Sequence, residues 1–277
     1  MNDQHEAATL TSQCDAHWQV PAFTLQELQA KQQAYCVCIP VINEGERLLN
    51  QLRTMHDLGL HKQVDVLIAD GGSTDGSTDP EVLASLGVRA ILIKTGTGKL
   101  SAQLRMGFAY ALQQGYEGII TVDGNGKDGV EAIPHFVQEL EAGLDFVQGS
   151  RYVPGGQAIN TPLIRTLAIN LLHAPLINLA ARYKYTDTTN GFRAFSRNYL
   201  LHPRVQPFRE VFSTYELLAY LSVRASQLGL RTKEIPVVRR YPSSGKTPTK
   251  ISHFRGNILL LTILWKTLRG AFNVTTS

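Results

Sequence analysis

Cysteine is scarce in this sequence, and so is any long apolar run. Three cysteines occur in 277 residues, and this small, odd number excludes a disulfide framework. Cys36 and Cys38 alternate within an apolar run, which is typical of small buried side chains rather than of a metal or redox pair. We therefore expect a reducing, cytoplasmic environment for this chain.

The sequence also lacks a segment that could span a membrane. The best candidate, Ile258 to Trp265, is far shorter than the roughly 18–20 residues of a spanning helix. The polar N-terminus lacks the apolar stretch of a signal peptide. We expect the helix near Phe254–Leu268 either to lie on the inner face of a membrane as a peripheral contact, or to pack in the core or in a homodimer.

Several motifs for nucleotide and hydrolase chemistry are missing. Gly96-Thr-Gly98-Lys99 looks like part of a P-loop, but Ile93 stands where the first glycine is required and Leu100 follows the lysine. No G-x-G-x-x-G follows the first predicted strand, no G-x-S-x-G is present, and the eight histidines show no metal-ligand spacing. These absences argue against a P-loop NTPase, a Rossmann dinucleotide site, a serine hydrolase and a histidine metal centre.

The composition is that of a globular protein with an uneven distribution of charge. Hydrophobic residues make up 43% and charged residues 18% of the chain, which excludes disorder, collagen-like repeats and a coiled coil. Residues 231–277 carry nine basic side chains and one acidic side chain, whereas residues 1–230 carry 18 basic and 22 acidic. A tail of charge +8 on a body of charge −4 predicts an anionic partner (phosphate, anionic lipid or nucleic acid), unless the tail is only a solvated basic face.

Strand-like and helical patterns alternate from residue 35 onward, after a polar extension (residues 1–34) in which Leu25 and Leu28 share helical spacing. Strands are predicted at Tyr35–Pro40, Val64–Ala69, Val88–Ile93, Gly118–Val122 and Phe146–Gly149, and helices at Glu44–Leu58, from the Gly/Thr turn through Ala111, and at Glu131–Glu141. This alternation predicts an α/β fold, a mostly parallel sheet with helices on both faces.

The second half of the chain is less regular. We predict a helix at Pro162–Arg182, a loop and strand from Thr186 to Phe195, a helix at Phe212–Leu228, a strand at Thr232–Val238 and a mobile loop at Pro242–Pro248. The expected domains are an extension (1–34), an α/β domain (35–238) and a basic loop with a helical tail (239–277).

Polar turns follow three of the predicted parallel strands, at Val41–Glu44, Asp70–Asp75 and Asp123–Asp128. Ligands of such sheets bind beyond the carboxyl ends of the strands, so the three turns should converge on one crevice. Asp70 is placed to accept hydrogen bonds from a base or ribose. Asp123 and Asn125 offer oxygen ligands for a hard divalent cation that retains phosphate oxygens, although Asp and Asn in turns more often bond their own backbone.

The ordered set of turns resembles the signatures of family 2 glycosyltransferases. The family-like segments are Cys38-Ile-Pro-Val-Ile-Asn-Glu44, Ile68-Ala-Asp-Gly-Gly-Ser-Thr-Asp-Gly76, Gln103-Leu-Arg-Met-Gly-Phe108 and Val122-Asp-Gly-Asn125. Three later segments resemble the dolichyl-phosphate mannose synthase-like branch: Gln148-Gly-Ser-Arg-Tyr-Val-Pro-Gly-Gly156, Thr188-Thr-Asn-Gly-Phe-Arg-Ala-Phe-Ser196 and Tyr215-Glu-Leu-Leu218. The resemblance extends from about Tyr35 to Ser252.

This resemblance implies a GT-A fold and transfer of a sugar from a GDP- or UDP-linked donor, with inversion at the anomeric carbon, and no nucleic-acid partner. The residues that match the family's nucleotide-binding positions are Pro40, Asn43, Glu44, Asp70 and Asp123. Asp123 and Asn125 match the family's metal-binding pair, which implies Mg²⁺ or Mn²⁺. Four further residues are candidates for the catalytic machinery: Arg151 and Arg193 near the phosphates and acceptor, Asp187 as a general base, and Glu216.

Three departures from the family pattern bear on the donor and the metal. Gly71 stands where a second carboxylate is usual, Ile42 replaces an aromatic residue, and Asn125 replaces the second acid of D-x-D. The amide at Asn125 weakens cation binding by one charge, and Asp128 could compensate from a neighbouring position.

We therefore expect an inverting, metal-dependent glycosyltransferase that acts at the cytoplasmic membrane face on a polyprenyl phosphate or another lipid-linked acceptor. One alternative is a transferase of the same fold that builds capsule- or O-antigen-like polysaccharide on a saccharide hydroxyl. The other is a nucleotide-binding module without turnover. A phosphate acceptor is favoured because cations (Arg151, Arg193 and the stretch Arg239–Lys250) outnumber the candidate bases Asp187 and Glu216.

Overall fold

A computed structural model describes residues 17–163, 167, 169–242 and 253–274. The strands in chain order are β1 (Phe23–Glu27), β2 (Tyr35–Val41), β3 (Asp65–Asp70), β4 (Val88–Lys94), β5 (Gly118–Thr121), β6 (Phe146–Ser150), β7 (Gln157–Ile159), β8 (Arg193–Ser196), β9 (Thr232–Pro236) and β10 (Val238–Arg240). The α-helices are α1 (Glu46–Asp57), α2 (Pro80–Ser85), α3 (Leu100–Gln113), α4 (Ile133–Glu141), α5 (Ala174–Ala181), α6 (Arg197–Leu200), α7 (Glu216–Gln227) and α8 (His253–Leu268). Short 3₁₀ turns lie at Leu60–Lys62 and Val130–Ala132, and a π-helical turn at Ile169–His173 precedes α5.

The predicted mostly parallel sheet is confirmed. Eight strands form one sheet in the order β1-β4-β3-β2-β5-β8-β6-β9. The neighbours from β4 through β5 pair in parallel, as do β6 and β9, whereas β1 and β8 run antiparallel to their partners. Strands β7 and β10 pair in parallel in a separate two-stranded sheet.

Helices cover both faces of the large sheet. Helices α3, α5 and α7 bury apolar side chains in a cluster on one face, together with Leu264 of α8, whereas α1, α2 and α4 do so on the other. Strands β2 and β3 lie between these layers, and their apolar runs are buried on both sides, as expected for central parallel strands. Cys36 and Cys38 are buried there as free thiols, as predicted.

The predicted helical character of the N-terminal extension is wrong where the structure describes it. Phe23–Glu27 forms the edge strand β1, antiparallel to β4, with Leu25 opposite Leu92. Leu25 therefore packs by strand alternation rather than on a helix face. Residues 1–16 lie outside the described part of the chain.

Several boundaries in the second half also differ from expectation. Helix α7 begins at Glu216 rather than at Phe212. The single strand predicted at Thr232–Val238 is two strands in two different sheets, and the expected domain boundary at residue 239 falls inside β10. The predicted mobile loop lies almost wholly outside the described residues.

Across the residues that the structure describes, none of the helices combines the length and apolar character needed to cross a bilayer.

Candidate functional site

The three predicted turns do converge at the carboxyl edge of the parallel strands. They border a cleft of about 510 Å³, a volume within the usual range for small-molecule sites. The cleft is lined by Pro40, Asn43 and Glu44 from the first turn, Gly71 from the second, Asp123, Asn125 and Lys127 from the third, and Lys94, Lys99, Gln103, Tyr215 and Arg239 from elsewhere. All of the predicted nucleotide-binding residues except Asp70 therefore line one cavity.

The first turn is held in place by the second. Asn43 adopts a left-handed backbone conformation with φ of 49°, which asparagine tolerates better than most residues. Its Oδ1 accepts a hydrogen bond from the backbone N–H of Thr74 at 2.8 Å, and its own N–H donates to Ser73 Oγ at 2.9 Å. Glu44 forms an ion pair with Arg47 at 2.8 Å. These contacts fix the rim of the cleft next to Pro40.

Asp70 lies behind the cleft and organises its own turn. Its Oδ1 accepts hydrogen bonds from the N–H groups of Gly72 and Ser73 and from Ser73 Oγ, and its Oδ2 accepts one from Thr78 Oγ1. Asp70 is only 1% exposed, so its carboxylate supports the turn from behind. The predicted contact of Asp70 with a base or ribose stays a prediction.

Gly71, one of the departures from the family pattern, faces Gln103. The Gln103 amide donates hydrogen bonds to the carbonyls of Val41 and Ala69 at 2.7 and 3.0 Å. A β-carbon at position 71 would lie 2.9 Å from Gln103 Nε2, closer than side-chain carbons approach such an atom. Glycine at this position is therefore matched to a buried glutamine that links β2 to β3.

The third turn places Asp123 against a cation of this chain. Asp123 Oδ2 accepts hydrogen bonds from Arg239 Nη2 at 3.0 Å and from Asn125 Nδ2 at 3.3 Å. Burial alone would raise the pKa of Asp123, but the charge and the hydrogen bond of Arg239 hold it below its usual value. Asp128, which we expected to assist in metal binding, is buried and accepts from Arg239 Nη1 at 2.5 Å. Burial raises the pKa of Asp128 despite this partner.

The donor set fits a divalent cation only in part. Among the described residues there is no group of three or more His, Cys, Asp or Glu side chains arranged for a metal ion. Asp123 lines the cleft and offers a carboxylate, while the Asn125 amide is turned to donate to Asp123. One carboxylate suffices for Mg²⁺ where substrate phosphates and waters supply the other ligands, so Asp123 could hold a cation together with a diphosphate.

Arg151 and Asp187 form a buried ion pair. Arg151 Nε donates to Asp187 Oδ2 at 2.6 Å and Nη2 donates to Oδ1 at 2.8 Å, and both side chains are almost fully buried. Burial alone would raise the pKa of Asp187, but the hydrogen bonds and charge of Arg151 hold it below its usual value. Two groups predicted to act separately, as a phosphate clamp and as a general base, are thus joined in one pair.

Arg193 and Glu216 are also engaged within the protein. The Arg193 guanidinium donates to the carbonyls of Asn190, Leu218 and Thr188, and burial lowers the pKa of Arg193 to about 10. Glu216 accepts from the backbone N–H of Thr214 at 2.7 Å at the start of α7. Both side chains hold the loops that flank the cleft, and their predicted catalytic roles stay predictions.

Sequence reasoning did not single out several cleft residues. Lys94, Lys99 and Lys127 were not identified, and Arg239 was included only as part of a basic stretch. Arg239 lies 116 positions from Asp123 in the sequence.

The family model described as "Glycosyl transferase family 2" matches residues 36–202. The chain is 31% identical over 170 residues to the polyprenol monophosphomannose synthase of Mycolicibacterium smegmatis. This alignment covers 59% of this chain and 62% of that protein. It is 28% identical over 202 residues to the undecaprenyl-phosphate mannosyltransferase of Micrococcus luteus, over 72% of this chain and 80% of that protein. The chain therefore spans less than two thirds of the first relative's length.

The fold is similar to that of a solved glycosyltransferase. The crystal structure of glucosyl-3-phosphoglycerate synthase from Mycobacterium tuberculosis, in complex with Mn²⁺, uridine diphosphate and phosphoglyceric acid, superimposes with a TM-score of 0.60 at 16% identity, over 88% of this chain and 80% of that chain. At this level of identity the likeness concerns the fold alone, and it confirms the predicted GT-A architecture.

Proposed function

Because the chain belongs to glycosyl transferase family 2, we propose that it transfers a sugar from a nucleoside diphosphate donor to a polyprenyl phosphate, with inversion at the anomeric carbon, at the cytoplasmic face of the membrane. The charge of the cleft carries this proposal. Four basic side chains line the cleft against two acidic ones, Glu44 and Asp123. The basic side chains are Lys94, Lys99, Lys127 and Arg239. A cleft with this excess of cations suits a diphosphate and the charge that develops on it as it leaves.

The donor would lie with its diphosphate toward Asp123. A bound Mg²⁺ or Mn²⁺ would supply Lewis-acid stabilisation of the departing diphosphate. Asp123 is the carboxylate that would hold the cation, and the side-chain oxygen of Asn125, which accepts from the Lys127 N–H at 3.2 Å, is the candidate for a second ligand. Pro40, Asn43 and Glu44 border the part of the cleft that is left for the nucleoside.

The state of Asp187 supports a phosphate acceptor. A hydroxyl acceptor must lose a proton to a base as it attacks, whereas a phosphate is already ionised. Asp187 is fully buried and accepts two hydrogen bonds from the Arg151 guanidinium, so it is a poor base. Arg151 Nη1 is buried and has no hydrogen-bond partner among the described residues. It would donate to a phosphate oxygen of an acceptor that opens access to it. The two curated relatives described above are named for polyprenyl-type lipid phosphates.

An exposed apolar surface, which we call the leucine face, supports a peripheral membrane contact. Helices α5 and α8 pack against each other, and these helices and the π-helical turn before α5 leave large apolar side chains in solvent. These are Leu171, Leu172, Leu179, Ile258, Leu261 and Trp265, each at least 44% exposed. Apolar side chains on adjoining helices, with Lys266 and Arg269 nearby in the sequence, are typical of helices that lie in the interface of an anionic bilayer.

The leucine face is connected to the site. His173, at the end of the π-helical turn before α5, forms a hydrogen bond at 2.7 Å with Thr188, which follows Asp187 in the chain. A lipid-linked acceptor on this face would therefore approach the loop that holds Arg151.

A comparison of two acceptors with the same lipid tail tests the proposed function. Purified protein is incubated with GDP-mannose or UDP-glucose and either undecaprenyl phosphate or undecaprenol in anionic vesicles, and glycolipid formation is measured. We expect transfer to undecaprenyl phosphate from one of the donors and none to undecaprenol. Transfer to the alcohol would identify a hydroxyl acceptor, and nucleotide binding without transfer to either acceptor would indicate a non-catalytic module.

A further inference from the structure

Two carboxylates share one guanidinium at the wall of the cleft. Arg239 Nη2 donates to Asp123 Oδ2 at 3.0 Å, and Arg239 Nη1 donates to Asp128 Oδ2 at 2.5 Å. The Asp123 side chain is 30% exposed, whereas that of Asp128 is 0% exposed. The guanidinium therefore joins an interior carboxylate to the carboxylate that faces the donor.

Backbone contacts fix the position of Arg239. The Arg240 N–H donates to the Lys127 carbonyl at 2.7 Å, and the Gly129 N–H donates to the Val238 carbonyl at 2.8 Å. These bonds attach β10 to the turn that carries Asp128. Together with the bridge between Asp128 and Arg239, these bonds hold the backbone of Arg239 beside that of Asp128.

Asp123 already has cationic partners within this chain. Arg239 and Lys127 both act electrostatically on Asp123. Asp123 Oδ2 also accepts from the Asn125 amide. A divalent cation that enters alone meets a carboxylate that is already engaged by Arg239 and Asn125. A nucleoside diphosphate would bring both negative charge and phosphate oxygens, the ligands that Mg²⁺ usually takes from a substrate.

We propose that Arg239 is an internal counter-cation that competes with the divalent cation for Asp123, so that the cation binds only together with the nucleoside diphosphate. Arg239 would keep its bond to Asp128 when it releases Asp123, because the buried carboxylate cannot remain unpaired without a large cost. Arg239 is in this role a positioning residue that sets the order in which donor and metal bind. The inference rests on the proposed function of the cleft.

Mn²⁺ binding, measured by the electron paramagnetic resonance of free Mn²⁺ with and without saturating UDP or GDP, tests the order of binding. In the wild type we expect nucleotide to tighten Mn²⁺ binding at least tenfold. The double variant Asp128→Asn/Arg239→Met removes one charge of each sign and leaves no buried charge unpaired, so it should bind Mn²⁺ without nucleotide at least tenfold more tightly than the wild type. Asp128→Asn alone leaves Arg239 on Asp123 and should not show this gain. Arg239→Lys lacks the forked guanidinium that serves two carboxylates. Its affinity for Mn²⁺ without nucleotide should lie between those of the wild type and the double variant.

Arg240→Met is the control for the loss of an arginine near the cleft, because Arg240 lines a neighbouring pocket rather than the cleft. Equal Mn²⁺ affinities of the wild type and the double variant without nucleotide would overturn the proposal, as would the same gain in Arg240→Met. Circular dichroism confirms that each variant is folded. Sugar transfer by the wild type is measured separately, so a failure of the proposed function is distinguished from a failure of the binding order.

Discussion

Arg151 and Asp187 meet side-on in the interior, with Nε–Oδ2 and Nη2–Oδ1 distances of 2.6 and 2.8 Å. Both are anchored by their neighbours: the Asp187 N–H donates to Glu234, and Arg151 Nη2 also donates to Thr189 Oγ1. A guanidinium and a carboxylate in this two-bond arrangement hold a fixed mutual orientation. The pair therefore positions the remaining nitrogen of Arg151, and a change at Asp187 affects that nitrogen before it affects any proton transfer.

The stability of the protein should depend on this pair. Asp187→Asn leaves the Arg151 charge buried without its partner, and we expect the free energy of unfolding at pH 7 to fall by about 3–5 kcal/mol. The apolar double replacement Arg151→Met/Asp187→Leu should lose less, because it leaves no unpaired charge. Urea unfolding of the wild type and of both variants measures these differences. A double variant as unstable as Asp187→Asn would contradict this account.

The same pair gives a pH dependence with a definite sign. The pKa of Asp187 is lowered in the folded protein, so the unfolded chain takes up a proton first as the pH falls. The stabilisation is fully present above the ordinary aspartate pKa of about 3.9 and is lost below it. Unfolding measurements at pH 7, 5 and 3 should show the difference in stability between wild type and Asp187→Asn shrinking between pH 5 and 3. A constant difference would mean that folding leaves the pKa of Asp187 unchanged, and a difference that grows would mean that the carboxyl is neutral in the fold.

Substitutions at Asp123 and at Asn125 should have opposite effects on the metal site. Asp123→Ala removes the carboxylate that would hold the metal and should lower kcat/KM at least a hundredfold, or about 2.7 kcal/mol. Asn125→Asp removes a donor to Asp123 and adds a negative charge, so it should bind Mn²⁺ more tightly in the presence of nucleotide. Both are measured by sugar transfer and Mn²⁺ titration. Full activity of the wild type in excess chelator would rule out the metal assignment.

Membrane binding should depend on the leucine face and on salt. Leu171→Glu and Trp265→Glu place a charge on this face and should reduce cosedimentation with anionic vesicles. Leu58→Glu is the control, because Leu58 is 49% exposed but follows α1 on the opposite side of the sheet. Basic residues near an anionic surface contribute about 1 kcal/mol each and are screened by salt, so wild-type binding should weaken as the salt concentration rises.

The competing role of the leucine face is a homodimer contact. If Trp265→Glu converts a dimer to a monomer in sedimentation and leaves vesicle binding unchanged, the face is a subunit interface. Point substitutions are preferable to removal of residues 251–277, because Leu264 and Phe272 are buried in the core and a deletion would expose their contacts.

The sequence predicted the parts of the fold and of the site that depend on local pattern. Strands β2 and β3 were identified because each is a short, continuous apolar run, and this pattern is typical of strands that are buried on both faces. Asp123 was identified because an acid follows a strand at the ligand-binding edge. The five residues of β1 were misassigned because Leu25 and Leu28 share helical spacing, while pairing with the distant β4 decided the outcome.

The partners of the charged residues could not be predicted in the same way. Arg239 lies 111 positions from Asp128 and Arg151 lies 36 from Asp187. Residue type alone therefore indicated phosphate clamps and a base, whereas tertiary packing joined these groups to one another. Which cation meets which carboxylate follows from sheet order and loop position, and neither leaves a periodic signal in the sequence.

The class of acceptor should be decided by the pH–rate profile of Asp187→Asn, assayed below its unfolding transition. With a phosphate acceptor no base is needed, so Asp187→Asn should keep a rate well above background, with a profile that stays flat near neutrality. Arg151→Ala should raise the KM for undecaprenyl phosphate more than the KM for the nucleotide sugar, because it removes the guanidinium nitrogen that Asp187 positions. With a hydroxyl acceptor, Asp187→Asn would lose several thousandfold in kcat at unchanged nucleotide affinity, and a limb of the wild-type profile would vanish. We expect the flat profile, because the carboxylate that would serve as the base is buried and already bonded to a guanidinium.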